Sequence, residues 1–168
     1  MITKVQASKI RLSENFIASE WLASADFPDV AASMEMPIEY LYKLRLMAAT
    51  ILQPIRDKMG HLTILSGFRS EELNRRVGGE ATSQHLLGEA ADIVCLVQPA
   101  AILARVIVTM LPHSYGQVIL YLDKNDKSNF LHVSLPQLRP KPRELLINRG
   151  GKFMQWSVAI GFVKDAIN

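Results

Sequence analysis

The chain has 168 residues, 49% of them apolar and 21% charged, with a formal net charge of +3. That length and apolar content suit one globular domain with a sizeable core and exclude a disordered chain. The single cysteine, Cys95, excludes an internal disulfide framework, and the apolar runs are too short to cross a membrane.

In chain order, residues 1–12 read as an N-terminal arm, 13–152 as the main domain and 153–168 as a C-terminal helical extension. The opening Met1-Ile2-Thr3-Lys4-Val5-Gln6 lacks the apolar core of a secretory leader. The expectation is synthesis in the cytoplasm without an export signal. Ser19 suits the N-cap of a short helix at Glu20-Trp21-Leu22, and Asp26-Phe27-Pro28-Asp29 suits a turn. Pro37 fits the first turn of a long helix whose apolar residues recur at Leu41, Leu44, Ala48, Ile51, Leu52 and Ile55, with Pro54 kinking or shortening its end.

Residues 61–66 read as a strand that stops at Gly67, with His61 exposed at the loop edge. Ser70 caps a short helix through Val77, which Gly78-Gly79 ends. Pro99 opens a further helix to Leu111, and His113 falls in the loop that closes it. Strands over 117–122 and 130–135 follow, joined by the polar turn of residues 123–128. Arg139, Lys141, Arg143, Arg149 and Lys152 face only Glu144 and read as a solvated basic loop; no interleaved aromatics point to nucleic acid. The tail over 155–167 sets Trp156, Ile160, Val163 and Ile167 on one helical stripe, widened by Val158 and Phe162. That stripe must dock on something, either its own domain or another subunit.

The chemistry concentrates in Ser83-Gln84-His85-Leu86-Leu87-Gly88-Glu89-Ala90-Ala91-Asp92, an S-x-H-x-x-G-x-A-x-D pattern. Gly88 breaks any helix begun at His85, so the chain can turn before the strand-like run that follows Glu89. Such a turn lets His85 and Asp92 converge on one ion. In the later strand, period-two alternation puts Phe130, His132 and Ser134 on one face and Leu131, Val133 and Leu135 on the other. Two histidines and one carboxylate are a ligand set that holds a catalytic zinc while leaving a position for water.

These segments, with Ser66-Gly67-Phe68-Arg69-Ser70, Glu72-Leu73-Asn74, Val77-Gly78-Gly79 and Leu131-His132-Val133-Ser134, resemble the zinc D-alanyl-D-alanine carboxypeptidase and L-alanyl-D-glutamate peptidase family. That family cuts peptidoglycan stem peptides, and the likeness is greatest to its short bacteriophage branch. The resemblance implies an α+β fold with a small central antiparallel sheet flanked by helices. It implies zinc on His85, Asp92 and His132. Arg69 is the expected clamp for a substrate carboxylate, since a guanidinium fork matches it bidentately. Ser83 is expected to orient the site by hydrogen bonding.

The general base is where the chain departs from the family. Relatives carry an acid three residues before the last histidine, where this chain has Asn129, or a glutamate late in the preceding strand, where it has Tyr121. Asp123, two residues after Tyr121 and across the hairpin, is the nearest carboxylate that could serve. Either Asp123 or Tyr121 substitutes, or the domain binds zinc and cuts poorly. Three functions follow: a zinc peptidase of peptidoglycan, as an endolysin or a virion-borne lysin acting at the wall after release; a structural virion protein that keeps the fold and its metal; or a zinc-stabilised module that binds wall peptide. The expected partners are stem peptides, with virion or self-association through the C-terminal helix, and neither nucleic acid nor membrane.

Overall fold

A computed structural model describes residues 1–125, 127–136 and 143–156, and it mixes helices and strands as the α+β expectation requires. Two compact units are built from interleaved segments. One comprises Met1–Pro54 with Ile64–Asp92, the other Ile55–Thr63 with the described residues from Ile93 onward.

The first unit opens with a two-residue strand, β1 (Ile2–Thr3), paired antiparallel with β2 (Glu35–Met36). Thr3 then caps α1 (Lys4–Ala7): its Oγ1 accepts from the Gln6 backbone N–H, and Gln6 Oε1 accepts from the Thr3 backbone N–H at 2.9 Å. This reciprocal bonding satisfies two N–H groups that a helix start otherwise leaves orphaned. Ile2, Ala7 and Leu12 are buried, so the first twelve residues are packed structure where an extended arm was expected. The expected turn at Pro28 is helix α2 (Pro28–Ser33), with the proline in its first turn where no N–H partner is needed.

The long helix forms from Pro37 onward but changes pitch along its length. A 3₁₀ turn (Ile38–Tyr40) leads into α3 (Leu41–Met47), a π turn (Ala48–Leu52) and α4 (Gln53–Met59). Pro54 explains the wide turn: its ring cannot pack against the preceding carbonyl, and widening the helix makes room without breaking it. Leu44, Met47, Ala48, Ile51 and Leu52 are all fully buried, so one apolar stripe carries this helix into the core. Further on, α5 (Glu71–Arg76) starts where Ser70 Oγ accepts the Leu73 N–H, and it carries Glu71 and Glu72 in its first turn and Arg75 and Arg76 in its last. Both ends match the helix dipole.

In the second unit, α6 (Ala100–Met110) lies against β5 (Gln117–Leu122) and β6 (Ser128–Ser134). β5 and β6 pair antiparallel, with Ile119 opposite His132 and Tyr121 opposite Phe130. Directly opposed residues share a face, so Ile119, Tyr121, Phe130 and His132 stand together, and Val118, Leu120, Leu131 and Val133 form the wholly apolar side. With β3 (Leu62–Ser66) and β4 (Ala90–Cys95), the order across the six-stranded sheet is β3-β4-β6-β5-β7-β8.

Two of these strands went unread in the sequence. β7 (Glu144–Arg149) runs parallel to β5, and β8 (Lys152–Gln155) returns antiparallel through Gly150 and Gly151, at φ +57° and +83°. The sheet is therefore mixed and larger than the small antiparallel one expected. Consecutive positive φ values are the signature of a two-residue hairpin turn, which a Gly-Gly pair provides without strain. Arg149 and Lys152 are exposed along an ordered ribbon instead of a loop, and exposed Arg143 immediately precedes it. Arg139, Lys141 and the segment beyond Trp156 that was expected to be helical lie outside the described residues. Among the described residues no helix is long and apolar enough to cross a membrane.

Gly67, just past β3, is closely walled in by backbone and ring atoms of Trp21. A Cβ there would stand 2.6 Å from Trp21 Cα, and Trp21 is fully buried. Gly67→Ala should therefore cost about 1–3 kcal/mol as overpacking, measured by denaturant unfolding. Gly78→Ala has open space and only the positive φ to oppose it, so it should cost less.

Candidate metal centre

His85 sits in a single 3₁₀ turn (Gln84–Leu87) that ends at Gly88 in the left-handed region, φ +65°. Lys43 on α3 secures this turn. Its ammonium donates to the Leu87 carbonyl at 3.0 Å, pairs with Glu89 at 2.7 Å and stands 4.7 Å from the Tyr40 ring centroid. Glu89, the motif's other carboxylate, is thereby directed to Lys43. The chain then enters β4, where Ala90 and Ala91 are fully buried and deliver Asp92 only 6% exposed.

His85 is 3% exposed, and its Nδ1 lies 2.6 Å from the Gly67 carbonyl oxygen. A carbonyl can only accept, so Nδ1 carries a hydrogen, and Nε2 is the nitrogen this arrangement leaves to serve as a metal ligand. That Nε2 stands 3.2 Å from Asp92 Oδ1. With a lone pair at Nε2, the nitrogen and the carboxylate oxygen could both bind one cation in this buried site. Two ligands bound 2.0–2.1 Å from one tetrahedral ion stand about 3.3–3.4 Å apart. The spacing fits.

His132 on β6 completes the set. Donor atoms of His85, Asp92 and His132 all lie within 4.8 Å of one another, and all three residues are buried. Two imidazole nitrogens and one carboxylate oxygen are borderline-to-hard donors, a set that can hold a divalent metal ion. Residues 21–134, which contain all three, match the family model of peptidase M15. The chain belongs to the peptidase M15 family. No curated protein matches it. Family and donor set agree on a metallopeptidase, and the match covers the chain from Trp21 to Ser134.

The other expected residues of this peptidase M15 chain fall as follows. Arg69 donates through Nη2 to Asp92 Oδ2 at 2.6 Å and through Nε to Ser66 Oγ at 2.8 Å. Its guanidinium thus engages a metal-site carboxylate, a contact that the substrate-clamp expectation did not include. Ser83 opens the 3₁₀ turn, its carbonyl accepting from the Leu86 N–H. Asp123 anchors the β5–β6 turn: its Oδ1 accepts from the backbone N–H groups of Asn125 at 2.7 Å and Lys127 at 3.0 Å. Asn129 is exposed and is the extra residue where the β5–β6 register shifts. Tyr121 stacks on Phe130 with ring centroids 4.4 Å apart, on the face that carries His132.

His61 is exposed as expected, and His113 Nδ1 accepts from Arg143 at 3.0 Å. Burial pushes the nearby Tyr115 phenol above its ordinary pKa, against the opposing pull of Arg143. Lys43 and the Gly67 carbonyl are the supporting groups that the sequence did not disclose. Lys43 belongs to a helix far away in the chain, and a backbone carbonyl leaves no residue-type signal.

A metal-free preparation should take up one divalent ion per chain, read by elemental analysis and by a rise in melting temperature. At a ligand concentration 100 times Kd the gain is about 2.7 kcal/mol. His85→Ala, Asp92→Ala and His132→Ala should each abolish the rise.

Proposed function

We propose that this chain is a zinc peptidase that cuts stem-peptide bonds of peptidoglycan, working as a phage endolysin or as a lysin carried in a virion. The observation that carries the reading is the buried His85–Asp92–His132 group, with the His85 tautomer fixed for metal by Gly67. Zinc is the favoured ion because it accepts two nitrogens and an oxygen in tetrahedral array with a position left over. When bound there, it supplies the Lewis acidity that makes water a nucleophile at neutral pH and polarises a peptide carbonyl.

The protein's own part is to hold and orient. Gly67 fixes the His85 ring, and β6 delivers His132 from a strand backbone with little freedom. Proton transfer needs one more group, and Asp123 is the carboxylate proposed for it. Asp123 Oδ1 already takes two turn N–H groups, so its Oδ2 is the atom proposed to accept a proton. Ser83, at the mouth of the His85 turn, is proposed to contact substrate. The partners are stem peptides, with virion or self-association through the segment after Trp156.

One observation favours a second reading, a structural virion protein that keeps the metal. Asp92 is the sole acid in the metal group, and Tyr121 stands where a catalytic glutamate would suit the His132 face. Incubation with purified peptidoglycan, with and without a chelator, separates the two. New peptide termini that vanish with chelator and with His85→Ala support the peptidase. In that case Asp123→Asn should lower turnover by ~10²–10⁴-fold with zinc binding kept. A parent protein that binds zinc but cuts nothing, while Tyr121→Glu cuts, establishes the structural reading instead.

A further inference from the structure

We propose that Arg69 is a positioning residue for the metal ligands: it pins one oxygen of Asp92 so that the other faces His85. This rests on the metal reading above and assigns Arg69 a different task from clamping substrate. Three contacts converge on this one residue. Nη2 donates to Asp92 Oδ2 at 2.6 Å, Nε donates to Ser66 Oγ at 2.8 Å, and its backbone N–H donates to the His85 carbonyl at 3.1 Å. Arg69 therefore touches the chain at two of the three ligands, His85 and Asp92, and is itself braced on the last residue of β3.

The geometry assigns the two Asp92 oxygens to different partners. Oδ2 takes the guanidinium and Oδ1 stands 3.2 Å from His85 Nε2. A carboxylate turns easily about its terminal torsion, which is broad and two-fold. Left alone, Asp92 could offer both oxygens to an ion or swing away from it. With Oδ2 tied to a charged donor it offers one oxygen, which keeps the coordination number low and a position open for water.

The side chains are only 14% and 9% exposed, so water competes weakly for this charge-assisted bond. The Nε–Nη2 edge of the fork, one of the two that can grip a carboxylate bidentately, is committed to Ser66 and Asp92. An arginine charge also repels the incoming metal. Changes at groups that orient metal ligands nonetheless cost about 10–100-fold in metal affinity, so orientation is the larger effect.

The test measures metal binding apart from hydrolysis. Zinc Kd is read by competition with a chromophoric chelator, and coordination by the visible spectrum of the cobalt-substituted protein, for the parent, Arg69→Met, Arg69→Lys and Ser66→Ala. Arg69→Met should bind zinc about 10–100-fold more weakly, and its cobalt bands should weaken as Asp92 supplies its second oxygen. Arg69→Lys keeps a cation near Asp92 and should recover part of the loss; it also serves if Arg69→Met fails to fold by circular dichroism. Ser66→Ala, which removes only the brace, should lose less than Arg69→Met. Parental affinity and spectrum in both Arg69 variants overturn the proposal while leaving the metal reading intact. A folded parent that takes up neither zinc nor cobalt overturns the metal reading and this proposal with it.

Discussion

The hydrogen bond from His85 Nδ1 to the Gly67 carbonyl is the constraint on which the centre depends. It selects the tautomer, sets the ring plane and aims Nε2 at Asp92 in one step. Because the acceptor is backbone, it has no rotamer to lose, and its position is fixed by what surrounds Gly67. Trp21 leaves no space there for a side chain. The packing of a fully buried tryptophan is thus coupled, through one residue, to the direction of a ligand lone pair.

The second constraint is electrostatic. Asp92 brings a negative charge to a place that is 6% exposed, which is unfavourable unless the charge is compensated. Arg69 compensates one oxygen, and the other stands 3.2 Å from His85 Nε2, within the group that could hold a metal ion. Glu89, three residues before Asp92, would overload the centre with negative charge were it turned inward, and Lys43 draws it off. The same ammonium tethers the carbonyl end of the short turn that holds His85.

Much of this was legible in the residues. The ligand trio showed in one histidine–glycine–aspartate run and in the alternation around His132. The Ser70 cap, α6 and the β5–β6 pairing followed from turn residues and periodicity. What escaped had physical reasons. The arm is folded because a Thr-x-x-Gln box nucleates a helix that composition alone does not announce. The β7–β8 ribbon was hidden by its basic residues, although Gly150-Gly151 between Ile147 and Phe153 was the available signal. The bond from Arg69 to Asp92 spans a long loop of chain, and only the fold brings the two together.

The candidate ligands and Asp123 are held by different kinds of structure here. His85 and Asp92 are fixed by backbone and buried ion pairs, where a change of residue would leave a lone pair or a charge stranded. The β5–β6 hairpin has looser requirements. It accommodates an extra residue at Asn129, closes through Asp123 by backbone hydrogen bonds that an asparagine would also accept, and fills the His132 face with two stacked rings. A stacked pair of this kind adds about 0.5–1.5 kcal/mol beyond its buried area, which stabilises the hairpin whether or not a proton acceptor is present. In this chain the residues that could hold an ion follow the pattern the sequence resembles, and the departures fall in the hairpin, where folding alone would permit them.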